Sequence, residues 1–167
     1  MYRESDLVEL KQQLTDELKC EIDAFLNTKG GTIYIGVADD GTVMPFADEK
    51  SKDEADLKIG SWVREAFFPM PVDLIKHGFN EDGVLFVEIK EGKDKPYYLR
   101  EKGPKPSGVY KRVGRSKIKA TEEEILAMIM ESKNYSYERD VSEEQELTFK
   151  FFSPCAKITK LLTTKGT

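Results

Sequence analysis

Apolar residues recur at two different spacings in the first part of the chain, and each spacing predicts one kind of element. Residues Leu7–Lys11 alternate between apolar and polar, which predicts a short strand with a two-residue period. Apolar residues in Thr15–Thr28 recur every three or four positions, which predicts a helix with one apolar stripe. Thr15 is the predicted N-cap of this helix, and the glycine pair Gly30–Gly31 is expected to end it.

The same patterns continue along the chain and predict an α+β fold. The predicted strands are 32–37, 42–44, 72–77, 84–90, 96–99 and 108–113, and the other predicted helices are 52–67 and 121–131. Short strands next to helices favour a mixed, mostly antiparallel sheet packed with helices. Residues 1–133 are therefore expected to form one domain, 134–146 a polar linker, and 147–167 the start of a truncated second domain or a C-terminal extension.

Composition narrows the class of protein. Hydrophobic residues make up 39% and charged residues 34%, which is typical of a globular protein, and no apolar run reaches the roughly 20 residues that span a bilayer. We therefore expect a cytoplasmic protein with no membrane partner. Two cysteines and one histidine are too few for a tetrahedral structural zinc site, so Cys20 and Cys155 are expected to be free thiols.

Charge is distributed unevenly, although the chain as a whole carries −5. Residues 84–119 contain eleven Lys or Arg against four acids, a net of +7, which leaves −12 for the rest. Such segregation favours binding of a polyanion, with cations contacting phosphates and tyrosines stacking on unpaired bases. The candidate nucleic-acid-binding residues are Lys95, Tyr97, Tyr110, Lys111, Arg112, Arg115, Lys117 and Lys119. A solvated edge strand, whose lysines only prevent aggregation, is the alternative.

Three segments carry a resemblance to a known family. The first is Glu4-Ser5 followed by Glu9-Leu10-Lys11, with Leu10 where the family has Phe. The second is Asn27-Thr28-Lys29-Gly30-Gly31 and the strand ending Gly36-Val37-Ala38-Asp39-Asp40, and the third is Lys95-Pro96-Tyr97-Tyr98 with the later Arg112-Val113-Gly114. Over about residues 2–132 the chain thus resembles the Schlafen/AlbA-type DNA-binding domain. That resemblance implies the DNA-binding end of a longer bacterial transcriptional regulator, a lobe that pairs with a second copy as a homodimer.

The resemblance also implies a candidate catalytic cluster. In Schlafen ribonucleases two glutamates and an aspartate form the catalytic carboxylates, and the matching residues here are Glu4, Glu9 and Asp39. Three carboxylates can hold Mg²⁺ or Mn²⁺ beside a scissile phosphate, and Lys11, on the same strand face as Glu9, could stabilise developing negative charge. Alternatively, these are ordinary surface acids, with Asp39 in a hairpin turn.

Three functions stay open on the sequence. Non-catalytic binding of DNA or RNA is preferred and needs no cofactor, a metal-dependent endoribonuclease is the alternative, and a protein-interaction module is the third. The glycine pair Gly30–Gly31 lacks the Gly-Lys-Ser/Thr of a phosphate-binding P-loop, which argues against ATP binding there. His77 is expected at an exposed strand end and Trp62 in the core.

Overall fold

The computed structural model describes the backbone of residues 1–147 and the side chains of residues 1–134, 137 and 138. In chain order the elements are β1 (Val8–Lys11), α1 (Leu18–Leu26), β2 (Gly30–Ile35), α2 (Glu49–Glu65), β3 (Phe67–Phe68), a 3₁₀ turn (Val72–Leu74), β4 (Ile75–Phe79), β5 (Leu85–Lys90), β6 (Tyr98–Leu99), β7 (Tyr110–Val113), β8 (Ser116–Lys119) and α3 (Glu122–Leu147). The chain divides into two units, Met1–Ile129 and Met130–Thr167. None of the helices in the described range is long and apolar enough to cross a bilayer.

A four-stranded sheet in the order β1-β2-β5-β4 forms the centre of the first unit. β1 runs parallel to β2, whereas β2 pairs with β5 and β5 with β4 in antiparallel fashion. The predicted α+β class, with a mixed and mostly antiparallel sheet, is confirmed. Two further pairs, β3 with β6 and β7 with β8, lie outside this sheet.

The main core lies between the sheet and the helices α1 and α2. Strand alternation sends Ile33 and Ile35 of β2 into it, against Ile22 and Phe25 of α1, and all four side chains are fully buried. Each such side chain contributes about 1.5–3 kcal/mol through removal of apolar surface from water. Trp62 of α2 is also part of this core, as the sequence predicts.

The glycine pair opens β2 and lies inside the sheet. Gly30 has a φ of +77°, and a Cβ there would lie 2.5 Å from the backbone oxygen of Ile89 on the neighbouring β5. A Cβ at Gly31 would lie 2.6 Å from the backbone oxygen of Leu7. Glycine is therefore required for close strand approach and for a left-handed turn, not for contact with a phosphate.

Several predicted elements differ from the structure, because contacts with the rest of the fold determine whether a short segment forms a strand or a helix. The predicted strand 42–44 is only a single bridge between Val37 and Val43, and β8 lies in a charged segment where no strand was predicted. α1 begins at Leu18 with no side-chain cap, because Thr15 lies in a preceding turn and accepts the Leu18 N–H through its backbone oxygen. His77 lies within β4 and is half-buried, with Nδ1 2.8 Å from the Asp56 carboxylate.

α3 starts where its sequence predicts and extends further. Glu124 donates its N–H to the Thr121 hydroxyl at 3.1 Å, and Thr121 donates its N–H to the Glu124 carboxylate at 2.9 Å, which is the predicted capping box. The predicted linker 134–146 is helical in the structure, as part of α3. Its role as a linker stays a prediction. Beyond Leu147, the predicted second segment lies outside the described residues.

Candidate nucleic-acid interface

The β7–β8 hairpin is attached to the end of α1 by the side chain of Asn27. The buried amide accepts the Tyr97 N–H at 2.7 Å and donates to the backbone oxygens of Tyr97 at 2.8 Å and Tyr110 at 2.9 Å. The neighbouring Thr28 hydroxyl accepts the Arg112 N–H at 3.0 Å. The Asn-Thr motif of the sequence is therefore a structural joint that holds three separate segments in register.

Arg112 lies on the inner face of this hairpin and is 5% exposed. Its guanidinium lies 4.3 Å from the centre of the Phe25 ring. Its polar partners are the carboxylates of Glu9 (3.2 Å) and Glu21 (3.5 Å) and the backbone oxygens of Ser5 (3.2 Å) and Arg115 (3.3 Å). The sequence-based prediction that Arg112 contacts phosphates is wrong, because its guanidinium is buried and paired with two carboxylates.

Lys11 and Lys117 extend this buried ion-pair network toward solvent. Lys11 lies 3.3 Å from Glu9 and 3.5 Å from Glu21, while Lys117 contacts Glu17 and lies 3.4 Å from Glu21. Burial alone would lower the pKa of Lys11, but the carboxylates of Glu21 and Glu9 outweigh it and raise that pKa. Burial likewise acts to lower the pKa of Lys117, the hydrogen bond with Glu17 acts to raise it, and the pKa is raised overall. Both lysines therefore carry a positive charge, which the neighbouring glutamates balance.

The predicted metal-binding carboxylates do not form a cluster. Glu9 is buried against Lys11 and Arg112, Glu4 lies 3.6 Å from Arg115, and Asp39 is exposed. Among the described residues no group of three acidic, histidine or cysteine side chains is placed to hold a metal ion. The predicted Mg²⁺ or Mn²⁺ site at Glu4, Glu9 and Asp39 therefore does not fit the structure, because Glu9 is already paired with two cations.

Two predicted tyrosines are buried instead of available for stacking. Tyr97 is 2% exposed and Tyr110 is 8% exposed, so neither ring presents a face to an unpaired base. Two predicted lysines are half-buried and paired: Lys95 lies 2.6 Å from Glu91, and Lys111 contacts Glu124 of α3. The two tyrosines are therefore packed within the domain, and the phosphate contacts predicted for Lys95 and Lys111 would require these lysines to leave their carboxylate partners.

Four cations between residues 102 and 120 are exposed: Lys102 and Lys105 in the loop before β7, Arg115 in the hairpin turn, and Lys119 at the end of β8. Arg115 is 66% exposed at its side chain, and its contact with Glu4 is long, at 3.6 Å. No acid occurs between residues 102 and 120. Arg115 and Lys119, two members of the predicted set, are thus accessible to a phosphate. Lys102 and Lys105, which the prediction did not include, are accessible as well.

Glu21 is a site residue that sequence reasoning missed, although its position carried a signal. It falls on the buried stripe of α1 beside Leu18, Ile22 and Phe25, where an unpaired charge is costly. A carboxylate at such a position predicts a buried cation partner. The partner itself, Arg112, lies 91 residues away in sequence, and no local pattern identifies it.

Asp23, completely buried on α1, predicts a pH effect on stability. Burial raises the pKa of its carboxyl well above 3.8, against the lowering effect of the Tyr110 N–H at 2.9 Å. The folded protein then holds the proton more tightly than the unfolded chain, so stability falls as pH rises from 3.8 toward the folded-state pKa. Asp23→Asn keeps an acceptor and cannot ionise. Its stability relative to wild type should therefore increase between about pH 4 and pH 7.

Urea denaturation of wild type, Asp23→Asn and the exposed control Asp73→Asn at both pH values measures this effect. The control should follow wild type at both. An Asp23→Asn difference that is the same at both pH values would show that the wild-type carboxyl does not change protonation in this range.

Comparisons with known proteins give a family match and similarities to solved structures. The model of a family described as Schlafen, AlbA_2 matches residues 4–121. A search of curated protein sequences gives no match. The DIP2311 protein of Corynebacterium diphtheriae is 15% identical, with a TM-score of 0.45 over 69% of this chain but only 22% of its own length.

A second similar structure is an N-terminal domain from Nitrosomonas europaea, of a protein described as related to the ATP-dependent DNA helicase RecG. It is 20% identical, with a TM-score of 0.42 over 65% of this chain and 79% of that domain. Likenesses this distant carry no functional argument. The family match covers well over half of the sequence, and the chain therefore belongs to the Schlafen/AlbA_2 family.

Proposed function

We propose that the first unit binds nucleic acid without cleaving it, through phosphate contacts made by Lys102, Lys105, Arg115 and Lys119. The observation that carries this proposal is their exposure within a segment that contains no acid. Exposed cations release condensed counterions when they contact a phosphate chain, which is the main source of sequence-independent affinity. Duplex DNA is the proposed ligand, as for the operator-binding end of a transcriptional regulator.

The buried network supports this role by fixing the hairpin. Arg112 joins the N-terminal segment, β1 and α1 to the backbone oxygen of Arg115 in the hairpin turn. A turn held at both ends presents its exposed cation in one position, which reduces the conformational entropy lost on binding. Glu124 neutralises Lys111, so Lys111 is not part of the proposed phosphate contacts.

The salt dependence of binding to labelled duplex DNA tests this function. About four phosphate contacts predict a log–log slope of affinity against salt of about −3 to −4 between about 50 and 200 mM. Fluorescence anisotropy of the 167-residue chain gives the slope, and a gel of structured RNA incubated with Mn²⁺ reports ribonuclease cleavage in parallel. Absence of binding at the lowest salt would contradict the proposal, and Mn²⁺-dependent cleavage would favour a ribonuclease instead.

Pairing of two copies, which the family resemblance implies, stays a prediction. It would place two such cationic surfaces on one assembly. Sedimentation of the intact chain over a range of concentrations measures it directly.

A further inference from the structure

Phe68 is a large aromatic side chain at an exposed position. On β3 the neighbouring Phe67 is fully buried, while Phe68 points outward and is 46% exposed. A ring with nearly half of its surface in water gains less from burial than a core side chain does. Its exposure therefore calls for an explanation outside the core.

Two side chains form a flat aromatic and cationic surface with Phe68. Tyr98 lies directly opposite on β6, with ring centres 5.6 Å apart and an interplanar angle of 36°. The guanidinium carbon of Arg100 lies 5.3 Å from the centre of the Phe68 ring. The Arg100 Nε donates to the backbone oxygen of Phe67 at 3.2 Å, which holds the guanidinium beside the ring.

Arg100 is the exposed cation of this surface. Among the described residues no carboxylate lies within ion-pairing distance of Arg100. The loop that follows β6 carries Lys102 and Lys105, and it folds back on the strand through the hydrogen bond from the Leu99 N–H to the Gly108 oxygen. A ring, a stacked guanidinium and two adjacent lysines together match a base attached to its phosphates.

We propose that Phe68, with Tyr98 and Arg100, is a stacking site for an unpaired nucleobase, next to the phosphate contacts of the loop. This inference rests on the proposed function, and it extends the ligand from a phosphate backbone to single-stranded or locally opened nucleic acid. Stacking on an aromatic ring or a guanidinium plane tolerates any base, because every base has a π-face. The site therefore adds affinity without reading a sequence.

An oligothymidylate of about 12 nucleotides and an abasic oligomer of the same length separate base stacking from phosphate contact. Wild type should bind the oligothymidylate more tightly. Phe68→Ala should weaken that binding by about five-fold or more and leave the abasic oligomer unaffected. Phe68→Leu retains apolar bulk without a ring, so it should show the same loss even where the alanine variant is unstable. Met70→Ala, at a neighbouring exposed side chain, is the matched control and should bind like wild type.

Equal binding of the two oligomers by wild type would overturn the stacking site and leave the phosphate contacts standing. An unchanged affinity of Phe68→Leu for oligothymidylate would overturn it as well. If neither oligomer nor duplex DNA binds, the stacking site and the proposed function fail together.

Discussion

Replacing Arg112 with alanine is expected to destabilise the first unit by about 3–5 kcal/mol, the usual cost of breaking a buried ion pair from one side. The carboxylates of Glu9 and Glu21 lie at 3.2 and 3.5 Å from Nη1 and would keep only the half-buried lysines as partners. The backbone oxygens of Ser5 and Arg115 would lose their donor as well. Urea denaturation followed by circular dichroism measures the loss.

Arg115→Ala is the matched control for this variant, because it removes the same side chain from the same hairpin at an exposed position. Its stability should lie within about 0.5 kcal/mol of wild type. The two substitutions should thus differ in stability: Arg112→Ala lowers it, whereas Arg115→Ala lowers DNA affinity at nearly unchanged stability. An Arg112→Ala protein as stable as Arg115→Ala would show that the buried network does not hold the hairpin.

Asn27→Ala should cost at least about 3 kcal/mol, since it leaves three buried backbone groups without a partner at roughly 1–3 kcal/mol each. These groups are the N–H and the oxygen of Tyr97 and the oxygen of Tyr110. Loss of the joint should also free the hairpin from α1. Thermal unfolding gives the change in stability, and amide hydrogen exchange of β7 reports the detachment.

Thr28→Val is the neighbouring control, because its hydroxyl makes two hydrogen bonds: it accepts the Arg112 N–H at 3.0 Å and donates to the Ala24 oxygen at 2.7 Å. It should cost about 1–2 kcal/mol, the usual net contribution of two such hydrogen bonds. An Asn27→Ala variant no less stable than Thr28→Val would contradict the assignment of the Asn-Thr motif as a structural joint.

Local patterns predicted the strands of the four-stranded sheet and the three helices, because burial there follows the period of each element. In β1, Val8 and Leu10 pack on one side while Glu9 and Lys11 form ion pairs on the other, as alternation requires. The capping box of α3 is likewise a local signal. β3 is only two residues long and pairs with β6, which is distant in sequence, while β8 is a charged segment that pairs with the adjacent β7. Periodicity identifies neither strand.

The candidate site was less predictable for the same physical reason. Alternation correctly placed Tyr110 and Arg112 on one face of β7, but the docking of α1 decides which face is buried. In the sequence, an arginine that is buried between two carboxylates cannot be distinguished from an exposed arginine that binds a phosphate. Only the three-dimensional structure shows that Arg112 is buried and Arg115 is exposed, which distinguishes the structural arginine from the proposed phosphate contact.

The most direct test of the account compares two double variants with the same change in net charge. Arg115→Gln with Lys119→Gln removes two proposed phosphate contacts, while Lys50→Gln with Lys76→Gln removes two exposed lysines from α2 and β4. Salt titrations with duplex DNA should give a slope smaller in magnitude by about 2 for the first variant and an unchanged slope for the second. Equal slopes for the two variants would contradict the assignment of the phosphate contacts to the hairpin.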